Sequence, residues 1–94
     1  MSIRSFRDPR LALVLAREMP KRFPADLVNV TRRKLIMLDG AKTLEDLRQP
    51  PANRLEALKG DRLGQYSIRV NDQFRICFRW TDEGPSDLEF VDYH

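Results

Sequence analysis

The chain has 94 residues, 41% hydrophobic and 33% charged, with a net charge of +3 and a pI near 9.4. A chain of this length buries roughly 60–70% of its unfolded surface, so residues 1–94 are expected to form one domain, and the composition excludes a disordered chain. No apolar run nears the roughly 20 residues of a membrane span, and a single cysteine and a single histidine exclude an internal disulfide and a structural zinc site.

The opening MSIRSFRDPR has no apolar h-region, so no signal peptide is expected. A lone cysteine fits a reducing cytosol. Thirteen of the seventeen cations are arginine. Arginine pairs bidentately with phosphate and stacks on bases, which leans toward nucleic acid, although a basic surface also suits an acidic protein.

Ile3 to Phe6 alternates and reads as a first strand. Asp8 is placed to cap a helix with Pro9 at its first position, and the helix should run to just before Pro20. Pro24 opens a second helix, whose Leu27, Val30, Lys34 (by its stem), Leu35 and Leu38 recur at helical spacing until Gly40. Arg32, Arg33 and Lys34 then read as a basic cluster on the exposed side, either a solvated face or a contact for RNA or an acidic partner. Thr43 with Glu45 and Asp46 suggests one short helical turn. Gln49 to Asn53 is a loop, because two prolines remove donors and fix φ. Residues 55–58 read as extended, and Lys59-Gly60-Asp61 as a turn.

Two alternating runs follow. Tyr66, Ile68 and Val70, then Phe74, Ile76, Phe78 and Trp80, put apolar side chains at every second position, as strands with one buried face require. Asn71-Asp72 between them predicts a tight hairpin. The opposite face then carries Arg69, Arg75 and Arg79, whose mutual repulsion calls for an anion: a phosphate, acidic residues of the next strand or a partner. Residues 81–86 read as a loop, and Leu88 to Val91 as a short final strand. The result is an α+β domain of order β-α-α-β-β-β, with two N-terminal helices packed on one face of a small antiparallel sheet.

The chemistry has few carriers. His94 can exchange a proton at neutral pH, and on a strand it would share a face with Asp92, while Tyr93 points the other way; taken alone, such a tail is more often frayed than a site. With Arg75 nearby, Asp92 and His94 would supply acid–base help and charge stabilisation, enough to cleave RNA through its own 2′-hydroxyl. Lys59 can hold a phosphate as a point charge, or be a turn lysine. Arg54, Arg62, Arg69 and Arg79 are candidate RNA-backbone contacts, with solvated charge as the alternative. Glu56 is a surface charge or a proton acceptor. Tyr66 and Trp80 belong to the core, and Tyr93 is the better stacking platform. Cys77 should be inert. No metal-ligand spacing and no glycine-rich phosphate loop is present.

The segments IRSF and LKGDRLGQYSIRVNDQFRICFRW and the terminal DYH, in this order, resemble the HigB toxins of the RelE/ParE superfamily over nearly the whole chain. The resemblance implies the toxin of a type II toxin–antitoxin pair. Such a toxin is a ribosome-dependent endoribonuclease cutting messenger RNA in the decoding site of the 70S ribosome, in the cytoplasm and with no cofactor. It also implies a HigA-like helix-turn-helix antitoxin, with operator DNA reached only through that complex and no membrane partner. By matching position, Lys59 is the phosphate-contacting lysine, Arg75 the strand arginine, and Asp92, Tyr93 and His94 the terminal acid, aromatic and histidine. Where some relatives carry a histidine just before the Leu-Lys-Gly, this chain has Glu56, so proton transfer falls to Asp92, His94 or Glu56 as a substitute base. A ParE-like inhibitor of gyrase acting by protein contact is the second expectation, and a DNA-binding regulator working only with an antitoxin is the third.

Overall fold

The computed structural model describes residues 3–92. The helix expected after Asp8 is α1, Pro9–Leu15, with the Asp8 carboxylate accepting from the Arg10 amide. It stops four residues short of the expected end. Arg17 enters the left-handed region at φ 66°, its amide donates to Val14 O, and Glu18 N–H reaches Leu13 O. These are the two bonds of a Schellman motif, closed by arginine in the position glycine usually takes.

Residues 25–27 make a 3₁₀ turn that leads into α2, Val28–Gly40. The third helix, α3, spans Leu44–Arg48 and starts with a reciprocal capping box between Thr43 and Asp46. Hydrogen bonds from the Lys42 and Thr43 amides hold the Asp46 carboxyl below its ordinary range. The predicted basic cluster on α2 divides. Arg33 stays exposed, but Arg32 Nε donates to Val14 O at 2.9 Å, tying α2 to α1, and Lys34 is half-buried.

Four strands follow, β1 (Glu56–Ala57), β2 (Gln65–Arg69), β3 (Phe74–Thr81) and β4 (Gly84–Asp92), paired antiparallel in that order. The β2–β3 turn is a hairpin, though not a two-residue one. Asn71 Oδ1 accepts from the amides of Gln73 and Phe74, at 2.9 and 2.7 Å, so an Asx turn closes a longer loop. The last strand begins at Gly84, inside the segment expected to be a loop. Its apolar residues break period two because Asp87 forms a bulge at φ 55°, which turns Pro85, Leu88 and Phe90 all inward. The expected first strand is reduced to one parallel bridge, Phe6 to Leu88, with flanking backbone bonds along β4.

The core lies between the helices and the even-numbered face of β2 and β3. Ile68, Ile76 and Phe78 there meet Leu11, Val14, Leu35 and Leu38, all fully buried. At one end, Phe90 lies against Phe23 and Phe74, with centroids 4.5 and 4.6 Å apart, and the Arg10 guanidinium lies 5.4 Å from the Phe23 ring. These contacts fix the course of β4 up to Asp92. The opposite, odd-numbered face is left for the site.

Candidate active site

Register decides which side chains meet on the odd-numbered face. Glu56 pairs with Ser67, Ser67 with Cys77, and Cys77 with Glu89, making one row across all four strands. The next row is Arg69, Arg75 and Val91. Arg69 and Arg75 therefore stand directly opposite each other, the like-charge pairing the alternation implied.

Each arginine on this face has an acid from the chain itself. Arg69 pairs with Asp72 in the turn, Arg75 lies 3.8 Å from Glu56, and Arg79 lies 3.7 Å from Asp87. Arg62, at the end of the 3₁₀ turn 60–62, reaches Glu89 at 2.9 Å and Gln65 at 3.2 Å.

Arg75 is the most firmly held. Its Nε donates to Ser67 Oγ at 2.7 Å, and its Nη2 donates to Arg54 O at 2.5 Å and to Ser67 O at 3.3 Å. Only 12% of its side chain is exposed. Arg54 presents that carbonyl because it is in the left-handed region at φ 46°, directly after the 3₁₀ turn 51–53. A buried node fixes the turn in place. Asn53 Nδ2 donates to Leu47 O at 3.0 Å and Lys34 Nζ donates to Asn53 Oδ1 at 2.7 Å. Burial, then the charges of Arg33 and Arg69, push Lys34 below the ordinary lysine value.

Cys77 sits at the centre of the face and is fully buried. Burial pushes its thiol up, and Arg62, Glu89, Arg75 and Glu56 all act on it electrostatically. Two ion pairs, Arg75–Glu56 and Arg62–Glu89, thus share the floor of Ser67 and Cys77. A thiol kept protonated is no nucleophile.

The candidate residues separate accordingly. Glu56, Arg75 and the Arg54 carbonyl come together, with Arg62, Arg69 and Arg79 on the same face. Lys59 is exposed, just before the 60–62 turn, and its side chain bonds to no other described residue. Asp92 pairs in register with Phe74, on the even-numbered side, and its carboxylate accepts from Gln73 Nε2 at 3.1 Å, whereas Arg75 pairs with Val91. The strand therefore sets Asp92 and Arg75 on opposite faces. The expectations placed on Tyr93 and His94 fall outside the described residues. Sequence reasoning missed Ser67 and Asn53; the only available signal was a small hydroxyl residue on the face that carries Arg69, Arg75 and Arg79, and an asparagine isolated after two prolines. Among the described residues no group of three or more His, Cys, Asp or Glu is placed to hold a metal ion, and no helix is long and apolar enough to cross a membrane.

A family model described as a RelE-like toxin of the type II toxin–antitoxin system HigB matches residues 4–94. The chain is 49% identical over 71 residues to Toxin HigB-1 of Vibrio cholerae, covering 76% of this chain and 74% of the relative. It is 32% identical over 92 residues to Endoribonuclease HigB of Proteus vulgaris, covering 98% and 99%. An uncharacterized protein of Haemophilus influenzae is 38% identical over 73 residues, covering 78% and 71%.

Proposed function

The chain belongs to the HigB-like family of RelE-like toxins from type II toxin–antitoxin systems, and from that premise we propose that it arrests growth as an endoribonuclease, cutting messenger RNA in the decoding site of the ribosome. The observation that carries this reading is the cradle of Arg75. A guanidinium held by Ser67 Oγ and the Arg54 carbonyl is fixed before substrate arrives. A cation that need not reorganise is what a developing phosphorane charge requires.

In this reading the RNA's own 2′-hydroxyl is the nucleophile. A base removes its proton, the 2′-oxygen bonds to phosphorus, the bond from phosphorus to the 5′-oxygen breaks, and the leaving oxygen takes a proton. The products are a 2′,3′-cyclic phosphate and a 5′-hydroxyl. Arg75 neutralises the equatorial oxygens and Lys59 adds a point charge. His94 gives the leaving group its proton and Tyr93 stacks on a neighbouring base. Glu56, 3.8 Å from Arg75, is the carboxylate better placed to act as base, and Asp92 acts through the terminal segment it precedes. Arg54, Arg62, Arg69 and Arg79 steer the RNA backbone onto this face.

The protein's partner is its antitoxin. We assign that antitoxin to the helix-turn-helix, HigA-like kind, with operator DNA reached only through the toxin–antitoxin complex and the toxin acting in the cytoplasm. The test is induction without antitoxin, with message ends mapped. Codon-phased cuts bearing 5′-hydroxyls support the nuclease. DNA damage without such cuts would favour a gyrase inhibitor.

A further inference from the structure

Arg7, Asp61, Arg62, Gln65 and Glu89 line an open pocket of about 290 Å³ beside the Arg75 cradle. We propose that this pocket receives one nucleobase of the cleaved message, adjoining the scissile phosphate, so that Gln65 and Glu89 read its edge. The proposal rests on the RNA-cleaving reading and deepens it.

Four observations support it. Gln65 and Glu89 lie on the same face as Arg75, Gln65 opposite Arg79 and Glu89 opposite Cys77, and Glu89 is two residues along β4 from Val91, the partner of Arg75. That offset is about 7 Å along a strand, on the scale of a single nucleotide step. The lining charges balance, Arg7 and Arg62 against Asp61 and Glu89. A phosphate there would meet two carboxylates, whereas a neutral polar ring meets both signs at little cost. The volume suits one heterocycle, being at the small end of ligand sites. The hydrogen-bonding groups are also preset. Arg62 Nη1 holds Gln65 Oε1 and Glu89 Oε1 together. The second atoms of those groups, Gln65 Nε2 and Glu89 Oε2, bond to nothing else among the described residues and are not sealed from solvent. A donor and an acceptor on two groups that one guanidinium holds together match the donor and acceptor of a base edge.

Two measurements test the pocket. The first maps message cuts for wild type, Gln65→Ala and Glu89→Gln and reads the base frequencies on either side of the cut. Wild type should favour particular bases at one adjoining position, and the variants should lose about tenfold of that preference, the discrimination of one good bidentate base contact. An absent preference in wild type, or one unchanged in both variants, overturns the proposal. The second uses wild type on programmed ribosomes, so it does not depend on the variants folding. The message carries a thionucleotide next to the cut and a 2′-O-methyl group in place of the attacking hydroxyl. Photocrosslinks should fall within residues 61–65 or on Glu89, and crosslinks elsewhere alone overturn the pocket. If the unmodified message is never cut, the nuclease reading itself fails, which is a distinct result.

Discussion

The Arg75 guanidinium and the Arg54 backbone carbonyl meet at 2.5 Å, joining β3 to a loop twenty-one residues earlier in the chain. Ser67 closes the other side at 2.7 Å. Among the described residues, the cation of the proposed site is thus held most closely by uncharged groups, with Glu56 at the longer distance of 3.8 Å.

Ser67 is a positioning residue in this arrangement. Ser67→Ala removes the acceptor of the Arg75 Nε bond, a partly buried contact. The loss should be about 1–3 kcal/mol of stability, read as a lower urea midpoint. Cleavage on the ribosome should slow through kcat with KM little changed, because the guanidinium is still present but no longer aimed. A variant with wild-type kcat would show that Ser67 only fills space.

Glu56 carries a second prediction. Glu56→Gln keeps the shape and removes the base, so the rate at neutral pH should fall by about 10²–10⁴-fold. Glu56→His should recover part of it and move the acidic limb of the pH–rate profile upward, toward the imidazole range near pH 6.5. An unaltered rate in Glu56→Gln, measured on message already bound in the ribosome, assigns proton transfer to other residues.

Lys34 and Asn53 govern alkaline stability. Lys34 titrates below its ordinary 10.5 when folded, so between that lowered value and 10.5 the unfolded chain binds more protons. Stability contributed at this site therefore rises with pH across that interval. The difference in urea midpoint between wild type and Lys34→Met should grow in favour of wild type as pH rises, and a flat difference contradicts the assignment. Asn53→Ala should lose about 1–3 kcal/mol at any pH, because Leu47 O and Lys34 Nζ both lose their partner.

Cys77 works in the opposite sense. Burial raises its thiol above the unfolded value of 9.0. Its contribution is fully present below pH 9.0 and is lost as pH rises through the folded value. Iodoacetamide should modify it only as the chain unfolds, with labelling rates following urea concentration. Rapid labelling of the native protein would contradict the burial.

The strands β2 and β3 were legible because alternation is a local signal. The starts of α1 and α3 were too, because Asp8-Pro9 and Thr43 with Asp46 carry their own capping chemistry, whereas α2 begins at Val28 after a 3₁₀ turn and not at Pro24. The end of α1 was not, since Arg17 takes a left-handed conformation that glycine would have advertised. The bulge at Asp87 hid the start of β4 by breaking the period of two. In the site, the arginines could be named from their face, but their partners could not. Asp72, Glu56, Asp87 and Glu89 are matched to them by cross-strand register and by the turns, which no local pattern encodes. Ser67 and Asn53 act only through tertiary contacts, and the face of Asp92 follows from its pairing with Phe74.

The most direct test is single-turnover cleavage of a message bound in the ribosome by wild type and by Arg75→Ala, at matched concentration and with antitoxin binding as the control for folding. The preset cation predicts cuts with 5′-hydroxyl ends for wild type and a rate about 100- to 1,000-fold lower for Arg75→Ala, the cost of removing one such stabilising group. Arg75→Lys should not restore it, because an ammonium cannot span Ser67 and the Arg54 carbonyl as the planar fork does. Equal rates for wild type and a folded Arg75→Ala would contradict the account.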